Sequence, residues 1–161
     1  VKVDYMRHHI GAHLIFDEAW TDRPAFPCGF CGVRPVAPFS AAASMVVGCP
    51  TALRWKSKTF KHVGTCKLIG TPNYNYKPSV KSTDKGPSTN VPLKCPHPTC
   101  AAGVYVFKYS MAKHWELEHR SSTMPENITV DDKTTPIAMT ADEKRNLGAV
   151  WQHIQRNKPK N

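Results

Sequence analysis

Between Cys95 and His119 the chain reads CPHPTCAAGVYVFKYSMAKHWELEH, and the spacing of four side chains in it, C-x4-C-x13-H-x4-H, constrains the fold more than any other feature. A tetrahedral zinc ion takes four sulfur or nitrogen ligands, so two cysteines on one turn must meet two histidines on adjacent turns of a helix. The spacing therefore asks for a turn carrying Cys95 and Cys100 and a helix carrying His114 and His119. Only the central spacer exceeds the usual finger pattern, which has about twelve residues there. Val104 and Met111 fall where a small ββα finger keeps its core side chains. A standard finger register puts the base-reading positions on Phe107, Ser110 and Lys113, of which only Lys113 suits the role. Trp115 and Leu117 add apolar bulk to the same helix. The finger thus reads as a structural element within a larger fold, not as a free base reader.

A second cluster, FPCGFCG, places Cys28 and Cys31 two residues apart with Gly32 behind them. C-x-x-C followed by glycine is a knuckle in which two thiolates share one turn, and it needs two further ligands. The upstream segment supplies His9 and His13 at i and i+4, one face of a helix, with His8 as the neighbour easily confused with His9. Cys49 and Cys66, with His62 nearby, compete for the same role, and a site of Cys28, Cys31, Cys49 and Cys66 is the rival assignment. The first set is favoured because it repeats the histidine step of the finger. On that reading Cys49 and Cys66 are left as buried free thiols or as a weak third site with His62. Two zinc ions are expected, at His9, His13, Cys28, Cys31 and at Cys95, Cys100, His114, His119. Three disulfides would not require histidines at fixed offsets, and the opening VKVDYMRHHIGAHLIF does not read as a secretory leader.

Zinc would also compensate for a thin core. The 161 residues are only 40% apolar and include 14 prolines and 9 glycines. A structural zinc contributes about 10–16 kcal/mol to folding. The fold class expected is a small zinc-stabilised α+β fold. Residues 1–70 form a zinc-binding half, with a helix over 3–19 whose Tyr5, His9, His13 and Phe16 share a face, followed by the knuckle and short strands. Residues 71–94, rich in Pro, Asn, Ser, Thr and Lys, read as a basic linker, 95–120 as the finger, and 121–161 as a loop and a C-terminal helix. Residues 121–135 are expected to be loop. The helix, over 141–157, opens on a capping-box pattern, Thr140 and Glu143, and carries Leu147, Val150, Trp151 and Ile154 on one stripe. No transmembrane span is expected.

The charge points to a polyanionic partner. Lys and Arg number 22 against 12 acids, for a net +10, and residues 51–94 hold nine of these cations against the single acid Asp84. Arg54, Trp55, Lys56, Lys58, Lys61, Lys67, Tyr74, Tyr76, Lys77 and Lys81, joined by Lys113 of the finger, mix cations with aromatic rings. That mixture suits phosphate contacts and stacking on bases. A solvated loop pinned by its aromatics is the plainer alternative.

The pieces RHHIGAHLIF, FPCGFCGVR, TNVPLKCPHPTC and KYSMAKHWELEH together resemble a little-characterised group of zinc-binding proteins encoded in many copies in mushroom-forming fungi. The resemblance covers roughly residues 5–120, and its most specific parts are PCGFCG and TNVPLKCP. That group is expected to have a further cysteine where this chain has Ser88. The resemblance implies intracellular zinc binding and an association with mobile elements, and no established activity. The function expected is thus a zinc-bound module for nucleic acid, DNA in the first place, working in the nucleus. The alternative is a zinc-stabilised protein-interaction module that uses the C-terminal helix for a protein partner. A zinc-assisted nuclease has only the paired histidines in its favour, so an enzyme is not expected.

Overall fold

A computed structural model describes residues 3–21, 28–29, 32, 52–56, 59–63, 79–100, 105–130 and 133–159, with the backbone alone for 52–56 and 59–63. Helix α1 (Val3–Phe16) forms where the sequence places it but stops earlier than expected. Asp17 breaks it. The Asp17 carboxylate accepts from the Ala19 amide at 3.2 Å, which starts the short helix α2 (Glu18–Thr21) in place of a continuous run to residue 19. An aspartate at this position satisfies an amide that the helix start leaves without a partner.

The expected C-terminal helix is α4 (Ala141–Arg156), and the Thr140 hydroxyl accepts from the Glu143 amide at 3.1 Å. Only half of the capping box forms, because the Glu143 side chain turns inward and is 1% exposed. Leu147 is fully buried, and Trp151 lies against α1, with its ring centroid 5.2 Å from His13 and 6.4 Å from Phe16. The stripe of α4 thus faces the His13 and Phe16 side of α1, with Val150, Trp151 and Ile154 left half-buried.

Three two-stranded antiparallel ladders form among the described residues. The first pairs β1 (Ala52–Lys56) with β2 (Thr59–Val63). The second pairs β3 (Pro92–Lys94) with β4 (Tyr105–Phe107), setting the buried Leu93 opposite the buried Val106. A turn of 3-10 helix (Lys108–Ser110) then leads into α3 (Met111–Glu118), whose Met111 is fully buried. The third pairs β5 (Asn127–Val130) with β6 (Lys133–Pro136), which corrects the loop expected over 121–135. Ile128 and Thr135 are the inward pair of that hairpin, and the Ile137 amide donating to the Glu126 carbonyl at 2.9 Å closes its base.

The largest departure concerns the expected linker. From residue 87 to 93 every residue is buried, and Ser88, Asn90, Val91 and Leu93 have no exposed surface. The segment is polar, so it lacks the apolar period that announces a core element. It is buried by pairing instead. The Ser88 carbonyl accepts from Arg7 Nη1 at 3.0 Å, and Asn90 Oδ1 accepts from the Tyr109 amide at 2.9 Å. The Lys108 amide donates to the Val91 carbonyl at 2.8 Å. Buried polar groups are tolerated when their hydrogen bonds are met in this way. Close approach of α1 makes room for it: a Cβ on Gly11 would stand 2.8 Å from Ser88 Oγ and 3.2 Å from the Tyr109 ring.

Candidate metal centre

Strand β3 delivers Cys95 directly after Lys94, and the following turn, closed by the Cys100 amide on the His97 carbonyl at 3.0 Å, brings back Cys100. Helix α3 supplies His114, 2% exposed, and its C-cap supplies His119, 4% exposed. Cys95, Cys100, His114 and His119 each offer one ligand atom, all within 4.8 Å of one another, and they are the one such set of three or more among the described residues. Nε2 of His119 lies 3.4 Å from Cys95 Sγ and 3.5 Å from Cys100 Sγ, and Nε2 of His114 lies 3.5 Å from Cys100 Sγ.

These distances test the fit. With metal–sulfur bonds of about 2.3 Å and metal–nitrogen bonds of about 2.05 Å, a regular tetrahedron has sulfur-to-nitrogen edges of about 3.5 Å. Three of the six edges match it, and the other three lie within 4.8 Å. Cys95 and Cys100 form no disulfide, so both sulfurs are available as ligands.

The surroundings orient the ligands. Thr99 Oγ1 lies 3.4 Å from Nδ1 of His119 and 2.7 Å from Nδ1 of His97, so the nitrogen of His119 remote from the sulfurs is held by a hydroxyl. Such outer contacts fix ring orientation and tautomer. His97 stacks on His119 at 3.9 Å, and Trp115 closes the edge of both rings while donating from Nε1 to the Ser122 carbonyl at 2.8 Å. Burial pushes the Cys100 thiol up to about 11, helped by hydrogen bonding and charge from Cys95 and by the charge of Glu118. Burial also lowers His114 and His119, with His119 adding to the first and His97 to the second. Both imidazoles are therefore held in the neutral, ligating form, whereas the thiol ionises readily only next to a cation.

The expected N-terminal site is placed only in part. His9 and His13 do share a face of α1, with ring centroids 4.8 Å apart. Nδ1 of His9 is shut off from solvent with no hydrogen-bond partner among the described residues, while Nδ1 of His13 meets Asp17 Oδ2 at 2.8 Å. Cys28 is buried, and the Gly32 amide donates to its carbonyl at 2.8 Å, with Gly32 at φ 69° where the knuckle requires a left-handed turn. Among the described residues His9, His13 and Cys28 do not gather their ligand atoms as the other four do. Cys31, Cys49 and Cys66 lie outside the described residues. His8, the neighbour of His9, faces the other way and accepts from the Ser88 amide at 3.4 Å.

Of the expected nucleic-acid contacts, Lys81 and Lys113 are exposed, the latter paired with Glu116 at 3.0 Å. Phe107 and Ser110 are buried, which removes two of the three finger positions that would read bases. Arg54, Trp55, Lys56 and Lys61 lie on the β1–β2 ladder, whose register sets Arg54 opposite Lys61 and Trp55 opposite Phe60. Lys58, Lys67, Tyr74, Tyr76 and Lys77 lie outside the described residues.

Sequence reasoning missed a buried charged group beside the centre. Lys108 Nζ donates to Glu143 Oε2 at 2.9 Å and to Thr89 Oγ1 at 2.6 Å, and Glu143 Oε1 accepts from the Thr89 amide at 2.9 Å. The hydroxyls of Thr89 and Tyr109 close on the same oxygen. Burial alone would raise the Glu143 carboxyl, but hydrogen bonds from Thr89 and Tyr109, with Lys108, hold it below its ordinary value. Burial, then the Glu143 charge, raises the Tyr109 phenol far above its own. A lysine directly after the apolar run Val104–Phe107 was the available signal. Comparison of the chain with protein-family models, with curated proteins and with solved structures finds no match.

Proposed function

We propose that this chain is a zinc-stabilised nucleic-acid-binding module, DNA in the first place, and not an enzyme. The observation that carries the zinc half is the Cys95, Cys100, His114, His119 cluster, whose edges suit a tetrahedral ion. Two thiolates with two imidazoles favour zinc over the oxygen-loving magnesium and calcium. The order β3, β4, α3, with the cysteines between the strands and the histidines on and after the helix, supports reading it as a finger. A second zinc at His9, His13, Cys28 and Cys31 belongs to the same reading, as does the resemblance to the fungal zinc-binding group.

The nucleic-acid half rests on charge. Nine cations and one acid lie between residues 51 and 94. The β1–β2 register places two of these cations, Arg54 and Lys61, directly opposite each other. The protein-interaction alternative would have to use what the contact with α1 leaves of the α4 stripe, where Leu147 is buried and Val150, Trp151 and Ile154 are half-buried.

Two measurements test this. Elemental analysis of the purified chain should find two zinc ions, and His114→Ala should lower the content by one. Replacing Lys56, Lys58 and Lys61 with Gln should leave the zinc in place and weaken binding. Its plot of log affinity against log salt should flatten by about 0.7–0.9 for each phosphate that is no longer neutralised. A folded triple variant that binds as tightly as the parent, with the same slope, refutes the phosphate grip.

A further inference from the structure

Helix α4 has two chemically opposite sides. Glu143 and Leu147 are buried, and Val150, Trp151 and Ile154 are half-buried. At about 100° per residue, Ala141, Arg145, Ala149, Gln152 and Arg156 line the side away from Leu147. All five are exposed. Lys144 and Gln155 are exposed as well and flank the stripe. From Lys144 to the end the chain has five cations and no acid, so this part carries a net +5 of its own, apart from the 51–94 segment. Asp142 lies on the same side, about 140° from Leu147 by the same step, and is the one acid of the stripe, at its N-terminal end, paired with Arg145 at 2.8 Å and 70% exposed.

The composition of the stripe selects its partner. Arg145, Arg156 and the flanking Lys144 outnumber the one acid, Asp142, and a net positive face fits a polyanion. Arginine can bond guanine and glutamine can bond adenine, each through two contacts in the major groove, and an alanine methyl suits the thymine methyl. Ala149 lies between Arg145 and Gln152 and lets the helix axis approach closely. Arg145 to Arg156 spans about 16 Å at 1.5 Å per residue, and a B-form major groove about 12 Å wide admits a helix. The deep, narrow groove of duplex RNA does not. An anionic membrane would require apolar residues to sink beneath the cations, and on the exposed stripe itself the only apolar residues are the small Ala141 and Ala149.

We infer that the exposed stripe Arg145, Ala149, Gln152 and Arg156 of α4 is a DNA-reading surface that lies in the major groove of duplex DNA. Lys144 and Gln155 bond the flanking phosphates. This rests on the nucleic-acid reading above and adds to it the element, the groove and a source of base preference.

The test uses the full zinc-loaded chain and labelled random-sequence duplex DNA, duplex RNA, anionic phosphatidylserine vesicles and poly-glutamate, titrated at several salt concentrations. The double variant R145Q/R156Q should lose duplex-DNA affinity by about tenfold or more, since two side chains able to make paired base contacts are removed. Asp142→Asn should bind DNA more tightly, by about twofold to tenfold, because an acid beside the phosphates is gone. Selection from a random duplex pool should return a base preference that Gln152→Ala alters.

A parent chain that binds no nucleic acid overturns the general reading and this inference with it. A parent that binds DNA, with R145Q/R156Q and Asp142→Asn unchanged in affinity while the Lys56, Lys58, Lys61 variant weakens, overturns this inference alone. Equal or tighter binding of the parent to duplex RNA, vesicles or poly-glutamate overturns it too.

Discussion

Glu143→Gln removes the charge of Glu143 while keeping its shape, and the structure sets what that costs. Lys108 and Glu143 are 3% and 1% exposed. In the variant Lys108 Nζ retains Thr89 Oγ1 and loses its only counter-ion among the described residues, because the new amide nitrogen is a donor facing another donor. Removing one partner of a buried ion pair costs about 3–5 kcal/mol. The remaining carboxamide oxygen can still accept from the Thr89 amide and the Tyr109 hydroxyl, so further loss from those two groups is small. A domain of this size is stable by about 5–15 kcal/mol, so the variant should remain folded with much of its margin gone. Pairing it with Lys108→Met removes the orphaned charge and should recover part of the loss, so that the two substitutions together cost less than their sum. The assay is urea unfolding of the purified chain at neutral pH, followed by tryptophan fluorescence, as a double-mutant cycle. A Glu143→Gln cost under about 1 kcal/mol, or additivity of the two within about 0.5 kcal/mol, would refute a charge-paired network.

Three further outcomes follow from the structure. The Glu143 carboxyl is held below its ordinary value of 4.5, so its stabilising share is fully present above about pH 4.5 and is lost as pH falls through the lower folded value. The parent should therefore lose urea resistance in that window more steeply than Glu143→Gln, and parallel curves would contradict the assignment. Two glycines give opposite signs. Gly148→Ala should stabilise α4 by about 0.5–1 kcal/mol, since its Cβ would sit 3.9 Å from Phe16 Cζ in ordinary contact. Gly29→Ala should cost about 1–3 kcal/mol, since its Cβ would run into the Phe107 ring and come within 2.9 Å of Asn90 Nδ2. Thermal melts of both variants decide the signs.

The four-ligand cluster was legible because metal spacing is local: Cys95 and Cys100 share a turn, His114 and His119 nearly share a helix, and little besides the hairpin must be known to bring them together. Helix α4 was legible because its stripe repeats at helical steps and Thr140 marks its start. The role of residues 87–93 was not. Ser88, Thr89 and Asn90 are the residues that normally announce a loop, and they enter the core only because Arg7, Lys108, Tyr109 and Glu143 arrive from three other elements to meet them. Pairing across such separations leaves no period in the sequence. Glu143 misled for the same reason, since Thr140 and Glu143 satisfy the capping pattern whichever way the carboxylate turns. The β5–β6 hairpin was missed because its inward positions hold Ile128 and Thr135, a single apolar residue among polar ones.

The buried network also bears on how a nucleic-acid surface would be held. A helix docked by an apolar stripe alone can roll by a fraction of a turn, because apolar contacts have little direction. Glu143 is different: its two oxygens are fixed by Thr89, Tyr109 and Lys108, so its direction sets the rotation of α4 about its own axis. With Glu143 inward, Arg145, Gln152 and Arg156 must face outward. Tyr109 and Lys108 lie immediately before α3, which carries His114, and Thr89 lies shortly before β3, which leads into Cys95. One carboxylate therefore ties the orientation of the exposed cations to both strands of chain that build the metal centre. Hydrophobic residues of similar volume could match the stability of this core, but they could not fix the angle of the helix as a directed ion pair does.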